Sequence, residues 1–459
     1  MTDSRDALSK LPALIVAGAL CLTATVAAAK EEIEQEPEEY CGLCEAKKRF
    51  HELTPWLKMG MDFRFRHIYQ DNRRLRKDDA TGDRNWQRYR GRLWASVTPI
   101  ENLEFNIRLA AEPRYFFKPD SMDPQYIRDE ALFDQFNIKW TRPGNLPVTV
   151  TTGRQDMRLG DGWLITRGTP RDGSRTNFFD AIRTTLHFEQ AKTDLDLIYL
   201  RNHANSSWFI RPFHDRDLDL SEQDETGVIV YGSNKSLSGA TIDGYFIYKH
   251  DDRVAADGNN ADIYTFGGRI DAALSEKWKA TAEIAPQFGR KNGVNIDALG
   301  ANAKLSYHLK DKLNNCLRMA YEYRSGDSRR DGAFDILWGR WAQWSDAFIG
   351  HIDTIEGQSH RAANIHRVNF GWSFDPTEKT TVLADYHLLF ADRNTFSGTA
   401  GFSQSGPFRG HLLTALLKYK FSHHLSGHLK GEVFFPGNYY DHTRNDPAVY
   451  IQYELVFSW

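Results

Sequence analysis

The sequence has too little apolar content for a helical membrane protein: hydrophobic residues fill 41% of its 459 positions, and mean hydropathy is -0.56. The one apolar run near the start, Leu11 to Val26, is too short to cross a bilayer comfortably as a helix. Charge of one sign is lacking too. With 58 Lys and Arg against 61 Asp and Glu, the formal net charge is -3. Bulk charge therefore attracts no nucleic acid, and any electrostatic function lies in local arrangement. No Gly-rich phosphate loop, paired-carboxylate signature or nucleophile elbow occurs, so no catalytic residue, enzyme activity or cofactor is expected. Proline is sparse at 16 residues, while 34 glycines and 13% aromatics suit a large β structure.

Cysteine is scarce as well. Residues 1–29 read as a secretory signal, with Arg5 and Lys10 before the apolar run and Ala27, Ala28 and Ala29 as small residues for cleavage, although Asp3 and Asp6 offset the two cations. Cys21 follows Leu20, where lipid attachment needs a small residue, so a lipid anchor is not expected. Beyond the signal stand Cys41, Cys44 and Cys316. In an oxidising compartment the Cys41/Cys44 pair can close on itself, hold half a metal site or exchange disulfides, and a small loop disulfide or spare thiols is the plainest reading. Glu45 in place of His excludes covalent haem attachment, and Cys316 stands alone at a strand start. Residues 30–55, with Glu31, Glu32, Glu34, Glu36, Glu38 and Glu39, read as an acidic periplasmic tail or short helix outside the main body, where a periplasmic partner would dock. His423, His424 and His428 have no Cys or carboxylate at ligand spacing and read as turn residues, so no metal site is expected.

From Trp56 onward the chain alternates. Leu57, Met59, Met61, Phe63, Phe65 and Tyr69 fall on one face and Lys58, Gly60, Asp62, Arg64 and Arg66 on the other; Leu93, Ala95 and Val97 likewise oppose Arg88, Arg90, Arg92 and Ser96. The pattern recurs up to Val449, Ile451, Tyr453, Leu455, Phe457 and Trp459. Period-2 alternation marks strands with one apolar face. About eight short connections, near Pro99–Asn102, Arg142–Pro147, Glu189–Lys192, Asn234–Ser236, Ser275–Lys277, Lys310–Asn314, Asp375–Lys379 and Ser422–Ser426, alternate with about nine long ones. The long ones include Gln70–Asn85, Asp156–Asn177, Arg290–Asn295 and Ser325–Ala363.

That sorting predicts an all-β fold over residues 56–459, a transmembrane antiparallel β-barrel of about 18 strands with short periplasmic turns and long extracellular loops. In hydrocarbon only closure leaves no backbone edge unpaired. Arg or Lys facing lipid at the midplane costs roughly 2 to 4 kcal/mol. Arg64, Arg90, Arg108, Arg183, Arg269, Arg318 and Arg367, each flanked by apolar residues, should therefore point inward.

Several segments carry a resemblance in their order and spacing: Gly153-Arg154-Gln155, Gly160-Asp161-Gly162, the return strand from Arg175 to Arg183, Tyr323 to Asp327, and Val433 to Gly437. Together, over roughly Trp56 to Trp459, they resemble the alginate-export family of outer-membrane barrels. The resemblance implies an 18-stranded monomeric porin in the outer membrane of a Gram-negative-type bacterium, with a loop-constricted, electropositive lumen that passes an anionic polysaccharide outward by diffusion. It carries the family's motif arginines onto Arg154 and Arg183. The other candidate substrate-binding residues, Arg64, Arg88, Arg90, Arg92, Arg108, Arg324 and Arg367, follow from strand parity. The chain departs from the family pattern at Cys41 and Cys44 and in the Trp-rich segment from Ile336 to Ile352, where Trp338, Trp341 and Trp344 are expected to pack an outer loop against the rim.

A polyuronate carries one carboxylate per sugar, so a conducting lumen needs several weak cationic sites rather than one tight one. The plainer alternative is that the arginines pair with Asp62, Glu104, Glu112, Glu283 and Glu322 and hold the wall open. Arg88, Arg90 and Arg92 share one face of one strand and repel each other unless an anion or neighbouring acids compensate. A porin taking up other anionic solutes or oligosaccharides is a second reading. A rim hydrolase is a third, and would need a hydroxyl and an imidazole projecting to one side of the wall at hydrogen-bond distance.

Overall fold

A computed structural model of the chain describes residues 41–76, 79, 82–119, 126–127, 131–166, 178–205, 210–213, 221–339, 343–351, 355–356 and 362–459. The expected leader, residues 30–40 of the acidic tail, Arg175 and Trp341 lie outside these residues. Among the described residues, one helix, α1 (Gly42–Leu53), precedes the sheet. The strands are β1 (Leu57–Asp71), β2 (Arg84–Ile100), β3 (Leu103–Ala111), β4 (Arg114–Lys118), β5 (Tyr126–Ile127), β6 (Leu132–Thr141), β7 (Val148–Gln155), β8 (Phe179–Phe188), β9 (Thr193–Asn202) and β10 (Gln223–Asn234). They continue as β11 (Ala240–Arg253), β12 (Ala261–Ala273), β13 (Trp278–Lys291), β14 (Val294–His308), β15 (Cys316–Arg324), β16 (Ile365–Thr377), β17 (Thr380–Phe390), β18 (Phe408–Lys420), β19 (Leu425–Pro436) and β20 (Ala448–Ser458). A short helix, α2 (Asp346–His351), lies between β15 and β16.

The segments β3 and β4 run one after the other along β2, interrupted at Glu112 and Pro113, and β5 and β6 return beside them. The 20 segments thus build 18 wall strands, and every consecutive pairing is antiparallel. The ring closes where β1 meets β20, from Asp62 opposite Ser458 to Asp71 opposite Val449. All eight short turns fall where the alternation places them, and so do the long connections, with one exception. The connection near Arg290–Asn295 is a tight turn: Lys291 pairs with Val294, and Asn292 and Gly293 both adopt positive φ, at 49° and 81°. That is the backbone a two-residue hairpin demands.

Burial is inverted relative to a water-soluble core. Phe63 is 47% exposed, Leu93 57% and Met319 52%, whereas Arg88 is 4% exposed, Glu225 1% and Asp134 0%. Apolar rows therefore face outward and charged rows inward, as a lipid-facing wall requires. Exposed Trp56, Trp140, Trp278, Trp372 and Tyr419 cluster near the short-turn end, and Tyr69, Phe117, Tyr264 and Phe288 near the other. These are the aromatic girdles of a membrane barrel.

The buried apolar residues lie inside the ring. Met157, Leu159, Trp163, Leu164, Ile165, Phe334, Leu337 and Trp338, from two long connections, pack on Ile229, Tyr231, Ile247, Ile263 and Ala285 of the wall. A second cluster joins Phe348 of α2, Phe396, Phe402 and Tyr439 to Ile365, Leu389, Leu412 and Phe434.

Candidate functional site

The bore is shaped by two segments that leave the wall and return into it. After β7 the chain turns inward through residues 156–166; after β15, residues 325–339 and 343–348 do the same. The two meet edge to edge. The Trp338 N–H donates to the Leu164 carbonyl at 3.1 Å, and the Thr166 N–H to the Trp338 carbonyl at 3.1 Å. The wall makes room with glycine: a Cβ on Gly227 would sit 2.5 Å from the Trp338 ring, and one on Gly300 would sit 2.4 Å from the Phe334 ring. The Trp-rich segment thus packs inside the wall, deeper than the rim position expected of it.

Charged groups bolt these loops down. The Trp338 indole donates to Glu225 at 2.8 Å, and Lys249 lies 3.7 Å from the same carboxylate. Lys291 pairs with Asp335 at 2.5 Å, while the Gln287 side chain both donates to and accepts from the Asp335 backbone. Burial alone would raise the Asp335 pKa, but the ammonium groups of Lys291 and Lys249 outweigh it and hold the carboxyl well below its ordinary range. Arg269 reaches Asp161 at 2.6 Å and Asp243 at 2.9 Å. Glu432 of β19 accepts from the Ser345 hydroxyl and from the first N–H groups of α2, which fixes that helix to the wall.

Glu322 on β15 is the densest junction. It accepts from the indoles of Trp163 at 3.1 Å and Trp344 at 2.9 Å, and pairs with Arg324 at 2.7 Å and Arg367 at 3.1 Å. Arg324 and Arg367 also lie over those same two rings, at 5.8 and 5.1 Å. Two of the expected binding arginines are therefore part of the loop anchorage.

Arg154 is similarly committed. It makes two bonds to Asp180, at 2.9 and 3.0 Å, donates to the Phe133 carbonyl at 2.9 Å, and stacks 4.0 Å from the Phe178 ring centre. Arg108 pairs with Asp134 and Asp156. Arg183 pairs with Asp196 at 2.7 Å and, with 30% of its side chain exposed, is the most open of the nine.

The remaining candidates gather at the seam. Hairpin register sets Asp62 opposite Arg92, Arg64 opposite Arg90 and Arg66 opposite Arg88. Arg92 and Arg90 lie 2.8 and 3.5 Å from Asp62, Arg64 and Arg88 lie 2.5 and 2.7 Å from Glu112, and Arg66 lies 2.7 Å from Glu454. Five arginines thus share three carboxylates among the described residues. The Nε groups of Arg64 and Arg90 are buried without a hydrogen-bond acceptor. Of the five acids expected to compensate, Asp62, Glu112 and Glu322 do so; Glu104 instead faces Lys139, and Glu283 accepts from the Tyr245 hydroxyl. Arg66 and Glu454 were missed, because ring closure rather than local spacing brings Glu454 to the arginines.

Two further groupings were not visible in the sequence. Thr149, His187 and Asp194 form a hydroxyl–imidazole–carboxylate line across three strands near the short turns, with contacts of 2.9 and 2.7 Å. His424, read from its sequence spacing as a turn residue without a Cys at ligand spacing, meets the Cys41/Cys44 pair in space. Linear spacing could not reveal a contact between residues 383 positions apart.

Solved outer-membrane proteins share the architecture. The chain is similar to Pseudomonas aeruginosa OpdQ (13% identity, TM-score 0.56, covering 88% of this chain and 97% of that one) and OccK3 (OpdO) (13%, 0.56, 91% and 99%). It is likewise similar to Acinetobacter baumannii OccAB2 (11%, 0.55, 88% and 98%). At these identities the likeness establishes the fold alone. No curated protein matches the chain. The family model described as "Alginate export" matches residues 55–453. With the closed 18-strand wall, outward apolar rows and loop-filled bore already in place, that match settles the matter: the chain belongs to the alginate-export family, as a porin-like channel of the Gram-negative outer membrane.

Proposed function

We propose that the protein is a passive channel for anionic saccharides, with export of an alginate-like exopolysaccharide as its task and the seam wall as the solute's track. The observation that carries this reading is the density of arginine on β1 and β2, where Arg90 and Arg92 share Asp62 and, among the described residues, the Nε groups of Arg64 and Arg90 are buried without an acceptor. A uronate carboxylate entering there exchanges with Asp62 or Glu454 as a guanidinium partner. The incoming carboxylate replaces one anionic partner with another, so no guanidinium is left bare during exchange and a polymer advances from site to site. Arg183 and Arg108 extend the track around the wall. Arg154, Arg324 and Arg367 act by holding the constriction in shape.

The test is reversal potential in planar bilayers across a salt gradient, with and without polyuronate. Anion selectivity and concentration-dependent block by polyuronate are expected, and cation selectivity would sink the proposal. A second reading, uptake of small anions or oligosaccharides, draws on the loops packed inside the ring, which favour short solutes over polymer. Flux of uronate oligomers of graded length into liposomes separates the two: a steep cutoff at a few sugars supports uptake of short solutes, and sustained flux of long chains supports export.

A further inference from the structure

Where the ring closes, α1 docks against the short-turn end. Lys47 lies 5.6 Å from the Trp94 ring centre and 5.5 Å from that of Trp459, and the backbones of Met61 and Trp459 bond to each other in both directions. At the start of this helix Cys41 and Cys44, disulfide-bonded with Cα atoms 5.2 Å apart, face His424 from the β18–β19 turn. The His424 Nε2 lies 3.0 Å from the Cys41 sulfur and 3.4 Å from the Cys44 sulfur, and its Nδ1 lies 2.8 Å from the Ser458 carbonyl oxygen.

The chemistry of those contacts is directional. A carbonyl oxygen only accepts, so Nδ1 carries the ring proton and Nε2 of the neutral imidazole aims its lone pair at the two sulfurs. A disulfide has no proton to offer that lone pair. Two thiols, or a cation shared with two thiolates, would satisfy it. The Nδ1–H to backbone carbonyl bond is also the outer contact that fixes the orientation of metal-bound histidines. All three donor atoms lie within 4.8 Å of one another. A zinc-type ion at about 2.3 Å from sulfur and about 2.0 Å from nitrogen fits among them once the sulfurs part.

We propose that Cys41, Cys44 and His424 form a redox-gated site for a thiophilic d10 cation of the zinc class, which clasps the N-terminal helix to the barrel seam. In the oxidised form the cysteines are joined and the site is closed. A dithiol reductant delivers two electrons and two protons to the S–S bond, leaving two cysteine thiols and becoming a disulfide itself. The cation then displaces both thiol protons to solvent and binds two thiolates and the His424 Nε2, leaving a fourth position for water or a partner's donor group. Cys316, buried at the start of β15, takes no part.

The test uses the mature chain in detergent, reduced with a phosphine and titrated anaerobically with Co(II). A thiolate-to-cobalt charge-transfer band saturating at one ion per chain, displaced by Zn(II), is expected, with no such band on oxidised protein. His424→Ala should weaken binding by more than the about ten-fold typical of losing an outer-shell partner, and Cys41→Ser with Cys44→Ser should abolish the band. Heat-modifiable migration in gels verifies that each variant's barrel is folded, and His424→Gln replaces any alanine variant that is not. Unchanged affinity in the folded His424 variant, absence of the band on reduced wild type, or a pair that resists phosphine reduction would each overturn the proposal.

Discussion

The seam wall and the wall opposite the inturned loops follow the same alternation yet carry opposite balances. Among the described residues, five ion-paired arginines of β1 and β2 meet three carboxylates: Asp62 of β1, Glu112 at the break between β3 and β4, and Glu454 of β20. On β10 to β13 with their loops, Lys249, Arg269, Lys279 and Lys291 meet six: Glu225, Asp251, Asp161, Asp243, Asp271 and Asp335. Where acids are in excess they serve as anchors, holding an indole or a loop against glycine-lined wall. Where arginines are in excess, the inturned chain meets the wall through Ala347 of α2, which packs on Ile68, Trp86 and Tyr450. One side of the ring therefore pins its loops through buried carboxylates, and the other is the side proposed above to exchange partners.

The largest expected effect comes from inverting the basic side. Exchanging Arg88, Arg90 and Arg92 for Gln leaves Arg64 and Arg66 against three carboxylates, so the reversal potential should cross zero toward cation preference. An unchanged sign would end the division of labour between the walls. Next is Asp335→Asn on the acidic side. It leaves the buried Lys291 without its paired carboxylate, while Lys249 keeps Asp251 and Glu225, and breaking such a pair costs about 3 to 5 kcal/mol. The loop from 325 to 339 should detach and single-channel conductance should rise severalfold.

Gly300→Ala is expected to have a smaller effect of the same kind, because the added methyl displaces the Phe334 ring. It should raise conductance fluctuations more than mean current.

Acidification sharpens the same contrast. The folded Asp335 carboxyl lies below its unfolded pKa of about 3.9. Its stabilisation is therefore fully present above that value and is lost only as pH falls through the depressed folded one. Conductance should hold steady from pH 7 to about 4, and loop opening within that window would show that Asp335 is not the bolt. The smallest effect belongs outside both walls. Arg142 and Glu189 form an exposed pair at a short turn, and Glu189→Gln should change stability by under about 1 kcal/mol.

Strand number, closure and facing were readable because a two-residue period and sorted connection lengths are local properties. The pairing of Asp62, Arg64 and Arg66 with Arg92, Arg90 and Arg88 was within reach once the first hairpin was aligned in register. The inturned loops were not assigned, although one signal was present: Met157, Leu159, Leu164, Ile165, Ile336 and Leu337 are too apolar for loops resting in water. Glu454 and His424 could not be found, since each meets its partners only after the last strand has reached the first.

That meeting also bears on how the molecule is made. Until Val449–Ser458 zips onto Asp62–Asp71, β1 and β20 each present a row of free N–H and C=O groups to whatever surrounds the nascent chain. A partly assembled wall is thus a template for sticking to its neighbours. Membrane insertion has to be coupled to the final stitch, with the bare edges chaperoned until then.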